Sequence, residues 1–113
     1  FQYLVIPLFQ YIIIIIVLIN SNNTQRFSDR EKLIIHVNDV MYNTIIYSKK
    51  DCPPTISQVD YLSIVIKECF LKFTDDAEDF SRRYNTPYND CLAIFIAAYD
   101  RNVKLFNLDY VPF

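Results

Sequence analysis

Few residues in this chain are of the types that carry out catalysis or bind metal ions. His36 is the single histidine among 113 residues, and no serine or cysteine stands near it in the sequence. Histidine is the usual general base of enzymes, but it needs a partner nucleophile, so we expect His36 to be structural. The three cysteines are an odd number and form no Cys-x-x-Cys pair, which predicts neither a disulfide framework nor a zinc site. We therefore expect Cys52, Cys69 and Cys91 to be buried thiols that pack as small hydrophobes, which fits a reducing compartment.

Acidic residues cluster in one segment, where a run of acids precedes two arginines. The cluster consists of Asp75, Asp76, Glu78 and Asp79, followed by Arg82 and Arg83. A calcium loop of the EF-hand type would require a glycine and alternating ligands, and both are missing. The i,i+4 spacing of acids and arginines instead predicts a short, solvated helix. With no paired carboxylates in a predicted cleft, we expect no catalytic residue, cofactor or metal.

Asp100 and Arg101 raise a different question, because they follow the apolar stretch that begins at Asn89. A buried carboxylate is costly unless it is paired and hydrogen-bonded, so burial would require a partner for Asp100. The alternative is that both residues face solvent in the last turns of a helix, as most charged residues do. The sequence leaves both interpretations open.

Composition narrows the classes of protein that fit this chain. A length of 113 residues allows one domain, and 52% hydrophobic residues argue against disorder. The net charge is −2 and there is no basic-aromatic stripe, so we expect no nucleic-acid partner. Glycine is absent, which excludes phosphate-binding loops of the Rossmann and P-loop types and disfavours a hairpin-rich β fold.

Helical periodicity predicts an all-α fold, an irregular helical bundle. Helices are expected at Asp29 to Tyr47, Ser57 to Phe73 and Pro87 to Lys104. Their predicted N-caps are Ser28 in a capping box, Ser57, and Thr86 with proline following at the first helical position. The predicted common core comprises Leu62, Ile66, Phe70, Leu92, Phe95 and Tyr99.

The N-terminal segment, residues 1–25, is predicted to be separate from a helical domain at 26–113. Phe1 to Ile19 carries no charge and is long enough to cross a bilayer as a helix. Three interpretations stay open: a membrane anchor, a signal peptide without its basic start, or a buried helix or strand of a truncated domain.

Two short motifs follow each other in the second and third predicted helices. Pro54-Thr55-Ile56-Ser57 with Asp60-Tyr61-Leu62 begins the second, and Ala97-Ala98-Tyr99-Asp100-Arg101 lies in the third. This order resembles the start of a cyclin box, with closest similarity to the phosphate-regulating cyclins and the P- or U-type cyclins. The resemblance implies that Asp100, Arg101 and Tyr61 form a structural clasp between the first box helices. It further implies that Asp100 accepts hydrogen bonds from the helix beginning near Ser57.

The resemblance also implies a function, and other classes of protein remain as alternatives. It implies a truncated, non-catalytic regulatory module that binds a cyclin-dependent protein kinase in the cytoplasm or nucleus. The alternative is a small membrane-anchored or secreted helical protein that uses Phe1 to Ile19 as its anchor or signal. A small enzyme is the third class, and it has no recognisable site.

Overall fold

The computed structural model describes residues 10–16 and 27–112, and it confirms the all-α prediction. The described part of the chain contains no strand. Its principal helices are α1 (Asp29–Ser48), α2 (Gln58–Asp75), α3 (Ala77–Arg83) and α4 (Tyr88–Leu105). A 3₁₀ turn at Lys49–Asp51 follows α1, and residues 10–16 are also helical. Each long helix lies within two residues of its predicted bounds.

The first two helices begin with the predicted caps. The Ser28 hydroxyl accepts a hydrogen bond from the Glu31 backbone N–H at 3.2 Å, and the Ser28 N–H donates to the Glu31 carboxylate at 2.9 Å. This reciprocal pair of hydrogen bonds is a capping box, which satisfies two backbone N–H groups at the N-terminus of α1. The Ser57 hydroxyl likewise accepts from the Asp60 N–H at 3.1 Å, so both caps are confirmed.

The third predicted cap, Thr86, was wrong. The helix begins at Tyr88 after Pro87, and no side chain caps it. The Thr86 hydroxyl instead donates to the carbonyl of Tyr84 at 2.9 Å, because Thr86 is buried where the chain leaves α3. Its own carbonyl accepts from the Ser81 hydroxyl at 2.6 Å. Thr86 therefore stabilises the end of α3 and not the beginning of α4.

Asparagine terminates two helices in the left-handed conformation that glycine usually supplies. Asn85 has φ 45° after α3, and Asn107 has φ 53° after α4. After α4, the Leu108 N–H donates to the Val103 carbonyl at 2.8 Å and the Asn107 N–H to the Lys104 carbonyl at 3.3 Å. This hydrogen-bond pair is a Schellman motif, and the residues after α3 repeat it.

The core lies where α1, α2 and α4 meet. Phe95 has no solvent exposure and its ring lies 5.3 Å from Phe73 and 5.8 Å from Phe80, which joins α4 to α2 and α3. Five of the six predicted core residues are buried, and Leu92 is half-buried against the same cluster. The predicted packing is therefore confirmed, with Leu92 at its edge.

The charged segment after α2 forms the expected short helix, but one of its faces is apolar. Ala77 and Phe80 are buried in the core cluster, while Asp79 on the outer face pairs with Arg83. The segment is therefore part of the domain and only its outer face is solvated. The expected short helix with a solvated charged face is therefore confirmed, and Ala77 and Phe80 add an inward apolar face that the spacing of the charges did not indicate.

Residues 10–16 lie against α1, where the Gln10 side-chain amide donates to the Asp39 carboxylate at 3.0 Å. Several of their apolar side chains remain exposed, namely Tyr11, Ile12, Ile14, Ile15 and Ile16. Within the described residues, no helix combines the length and the apolar character needed to cross a membrane. The rest of the Phe1 to Ile19 segment and the domain boundary predicted at residue 25 lie outside the described residues.

Candidate functional site

The Asp100 carboxylate contacts the C-terminal segment and its own helix. It accepts a hydrogen bond from the Tyr110 hydroxyl and forms an ion pair with Lys104 at 3.0 Å. The Tyr110 hydrogen bond is the first cause of a pKa below the usual aspartate value, and Lys104 adds to the effect. The prediction that Asp100 accepts hydrogen bonds from α2 was wrong. The carboxylate lies on the exposed side of α4, and its side chain is 44% exposed.

Arg101 faces a different neighbour from Asp100. Its guanidinium donates to the Asn38 side-chain oxygen at 2.8 Å, which joins α4 to α1 across 63 residues of sequence. The Asn38 amide in turn donates to the Ile34 carbonyl at 2.8 Å, so the side chain of Asn38 is fixed from both ends. Arg101 therefore connects α4 to α1.

Tyr61 is the third residue of the predicted clasp. Its side chain is half-buried and packs against the core cluster from the first turns of α2. The stacked rings of Phe70 and Tyr99, with centroids 4.9 Å apart, hold α2 against α4 further along the helix. The structure thus places Tyr61, Asp100 and Arg101 on packed helices without bringing the three side chains to one point.

Two buried polar residues of α2, which sequence reasoning missed, hold the C-terminal segment. The Ser63 hydroxyl accepts from the Asp109 backbone N–H at 2.9 Å, and the Lys67 ammonium donates to the Val111 carbonyl. Lys67 is only 5% exposed, and its ammonium lies 6.0 Å from the centre of the Tyr99 ring. The signal available in the sequence was the position of Lys67, which stands among apolar residues at helical spacing.

His36 lies among aromatic rings where α1, α2 and α3 meet. The centres of the Phe73, Phe80 and Tyr84 rings are 6.0 to 6.3 Å from its imidazole. Cys69 lines the same cavity of about 260 Å³, and burial raises the pKa of its thiol. A raised pKa reduces the thiolate fraction that a nucleophile requires, so this His–Cys neighbourhood is a poor catalytic centre.

The remaining candidates for chemistry are dispersed. Cys52, Cys69 and Cys91 are free thiols, but only Cys91 is buried, so the expectation that all three are buried was wrong for Cys52 and Cys69. Burial raises the pKa of the Cys91 thiol as well. Across residues 10–16 and 27–112, no three side chains of histidine, cysteine, aspartate or glutamate are grouped to hold a metal ion.

A groove between α1 and α4 has both polar and apolar lining residues. Its volume is about 280 Å³, and arginines stand among small and branched apolar side chains along it. Its principal lining residues are Arg30, Ile34, Asn38, Ala93, Ala97 and Arg101.

Comparisons with protein-family models, with curated proteins and with solved structures found no match.

Proposed function

We propose that this chain is a cyclin-like regulatory module that binds a cyclin-dependent protein kinase and has no catalytic activity of its own. The observation that carries the proposal is the position of the two motifs. The Pro54 to Leu62 motif spans the start of α2 and the Ala97 to Arg101 motif lies in α4, and these helices pack through Phe70 and Tyr99. The all-α bundle and the dispersed chemical groups are consistent with a protein that acts by binding.

The exposed face of α2 offers an apolar stripe to such a kinase. Ile64 is 43% exposed and Leu71 is 39% exposed, and they are seven residues apart on one face of the helix. Apolar side chains that stay in solvent on an otherwise well-packed helix are typical of protein contacts. We place the kinase contact on this stripe because α2 carries the first of the two motifs.

Binding of the full chain to a panel of purified cyclin-dependent kinases tests the proposal. Biolayer interferometry should detect saturable binding to at least one kinase, and Ile64→Glu should weaken it about tenfold or more by placing a charge in the interface. Ile96→Glu is the matched control, since Ile96 is 56% exposed on α4 and lies outside the stripe. Absence of binding to every kinase in the panel would rule out the proposed function.

A second candidate function rests on residues 10–16. These residues carry no charge and expose several isoleucines. This surface favours a small helical protein held at a membrane through its N-terminal segment. Flotation with phosphatidylcholine vesicles tests this candidate. The parent chain should float with the vesicles and an Ile14→Asp, Ile15→Asp variant should not, whereas Tyr47→Asp at an exposed position of α1 should float like the parent. A parent chain that stays at the bottom of the gradient would exclude this function.

A further inference from the structure

The groove between α1 and α4 has two walls with regular spacing. Arg30, Ile34 and Asn38 follow each other at i,i+4 along α1, and Ala93 and Ala97 do so along α4, with Arg101 one turn later. The helices run in the same direction, since Asn38 bonds to Arg101 and Tyr42 packs on Phe106 at 5.6 Å. Each wall is therefore one continuous helical stripe, and the two stripes face the same space.

Positive charge is concentrated at the two ends of this groove. Arg30 and Asn38 are eight residues apart, which corresponds to about 12 Å along a helix. Arg101 is held beside Asn38 by the 2.8 Å hydrogen bond, so its guanidinium lies at the end opposite Arg30. Among the described residues that line the groove there is no acid, although the whole chain has a net charge of −2. The groove is thus positively charged, whereas the chain as a whole is negatively charged.

The floor between the two arginines is apolar and shallow. Ala93 and Ala97 are exposed on α4, and their methyl groups leave room for a large side chain of another molecule beside Ile34. A volume of about 280 Å³ holds one or two leucine-sized side chains. Guanidinium groups form charge-assisted hydrogen bonds with carboxylates, which makes acids the matching chemistry at the two ends.

We infer that this groove binds an acidic amphipathic helix of a partner protein, with a carboxylate at each arginine and leucine-sized side chains over the two alanines. Acids eight residues apart on the partner helix would match the separation of the arginines. This site is separate from the α2 stripe assigned to a kinase, so it adds a second binding surface and does not depend on the first.

A synthetic helix tests the inference. The probe is a fluorescent peptide on the order of 16 residues, long enough to be partly helical, with two glutamates eight positions apart and leucines between them. Fluorescence polarisation with the full chain should show saturable binding below about 100 µM, a range typical of weak docking. A peptide with glutamine in place of both glutamates should bind at least tenfold more weakly, because charge-assisted hydrogen bonds are lost.

Variants of the chain separate groove binding from general charge attraction. Arg30→Gln should weaken binding of the probe about tenfold, and Ala97→Leu should abolish it by filling the floor without changing any charge. Lys32→Gln is the matched control, because Lys32 is an exposed cation on the opposite side of α1. Circular dichroism should show that all three variants keep the helical content of the parent.

Several results would overturn the inference. They are equal weakening by Lys32→Gln and Arg30→Gln, unchanged binding to Ala97→Leu, equal affinity for the glutamine peptide, or no saturable binding of the probe. No kinase is present in the assay, and Arg30→Gln, which lies outside both motifs and outside the α2 stripe, should bind a kinase as the parent does. Failure of the groove is therefore distinguishable from failure of the proposed function.

Discussion

At the scale of single residues, two neighbouring groups lower the pKa of Asp100 although its carboxylate is not buried. The Tyr110 hydroxyl and Lys104 both favour the ionised carboxylate and lower its pKa. Because the folded pKa lies below the unfolded one, the stabilisation is present above the unfolded pKa of about 3.9 and is lost as the pH falls through the folded value.

Removal of the tyrosine hydroxyl tests this assignment. In Tyr110→Phe the pKa of Asp100 should rise toward its ordinary value, since the first cause of the shift is gone. Carboxyl-carbon NMR of the parent and the variant, titrated through the acid range, measures the change directly. Tyr47→Phe is the control, because Tyr47 is exposed on α1 and distant in sequence from Asp100. An Asp100 pKa that stays equally low in Tyr110→Phe would assign the shift to the neighbouring cations Lys104 and Arg101.

At the scale of the elements, the aromatic contacts of Phe95 hold α4 against its neighbours. Phe95→Ala should reduce the free energy of unfolding by roughly 3–5 kcal/mol, because it removes a fully buried ring and leaves a cavity between α2, α3 and α4. Ile96→Ala changes the next residue, which is 56% exposed, and should stay within about 0.5 kcal/mol of the parent. Urea unfolding of both variants measures the difference. Similar losses for both would contradict the burial of Phe95.

The asparagine that ends α4 supports another prediction. A side chain other than glycine or asparagine costs roughly 1–2 kcal/mol in the left-handed conformation that Asn107 adopts. Asn107→Ala should therefore destabilise the fold by about 1 kcal/mol, and Asn107→Gly should leave its stability unchanged or raise it. Asn43→Ala, at an exposed position inside α1, is the control and should not destabilise. Thermal unfolding of the three variants tests the prediction, and an equally stable Asn107→Ala would contradict it.

The helices were predictable because their signals are local. Ser28 and Ser57 lie beside the N–H groups that they cap, and the prolines after Cys52 prevent α1 from continuing. Thr86 was misassigned because its position suited two helix ends, and tertiary burial decided between them. The bond between Arg101 and Asn38 crosses 63 residues, so no local pattern could have predicted it. The groove built on that bond was unpredictable for the same reason.

At the scale of the whole molecule, the C-terminal segment, residues 108–111, packs along the boundary between α2 and α4. Leu108 is buried in the core cluster, and the chain after it runs past Ser63 and Lys67 of α2 and past Asp100 of α4. These contacts link the last described residues to both helices that carry the cyclin-like motifs. The packing of the C-terminal segment at this boundary therefore depends on buried polar side chains of α2.

Local opening of this segment provides the last prediction. Ser63→Ala removes the acceptor of the Asp109 N–H, so hydrogen exchange at that amide should accelerate on the order of fivefold. Lys67→Met should also accelerate it by releasing the Val111 carbonyl. Global stability should change little in Lys67→Met, because the variant no longer buries an ammonium. Thr74→Ala, which removes a hydroxyl bonded to Leu71 within α2, should leave Asp109 exchange unaltered. If the Asp109 amide exchanges at the parent rate in both Ser63→Ala and Lys67→Met, the segment is held by Leu108 and not by the polar contacts of α2.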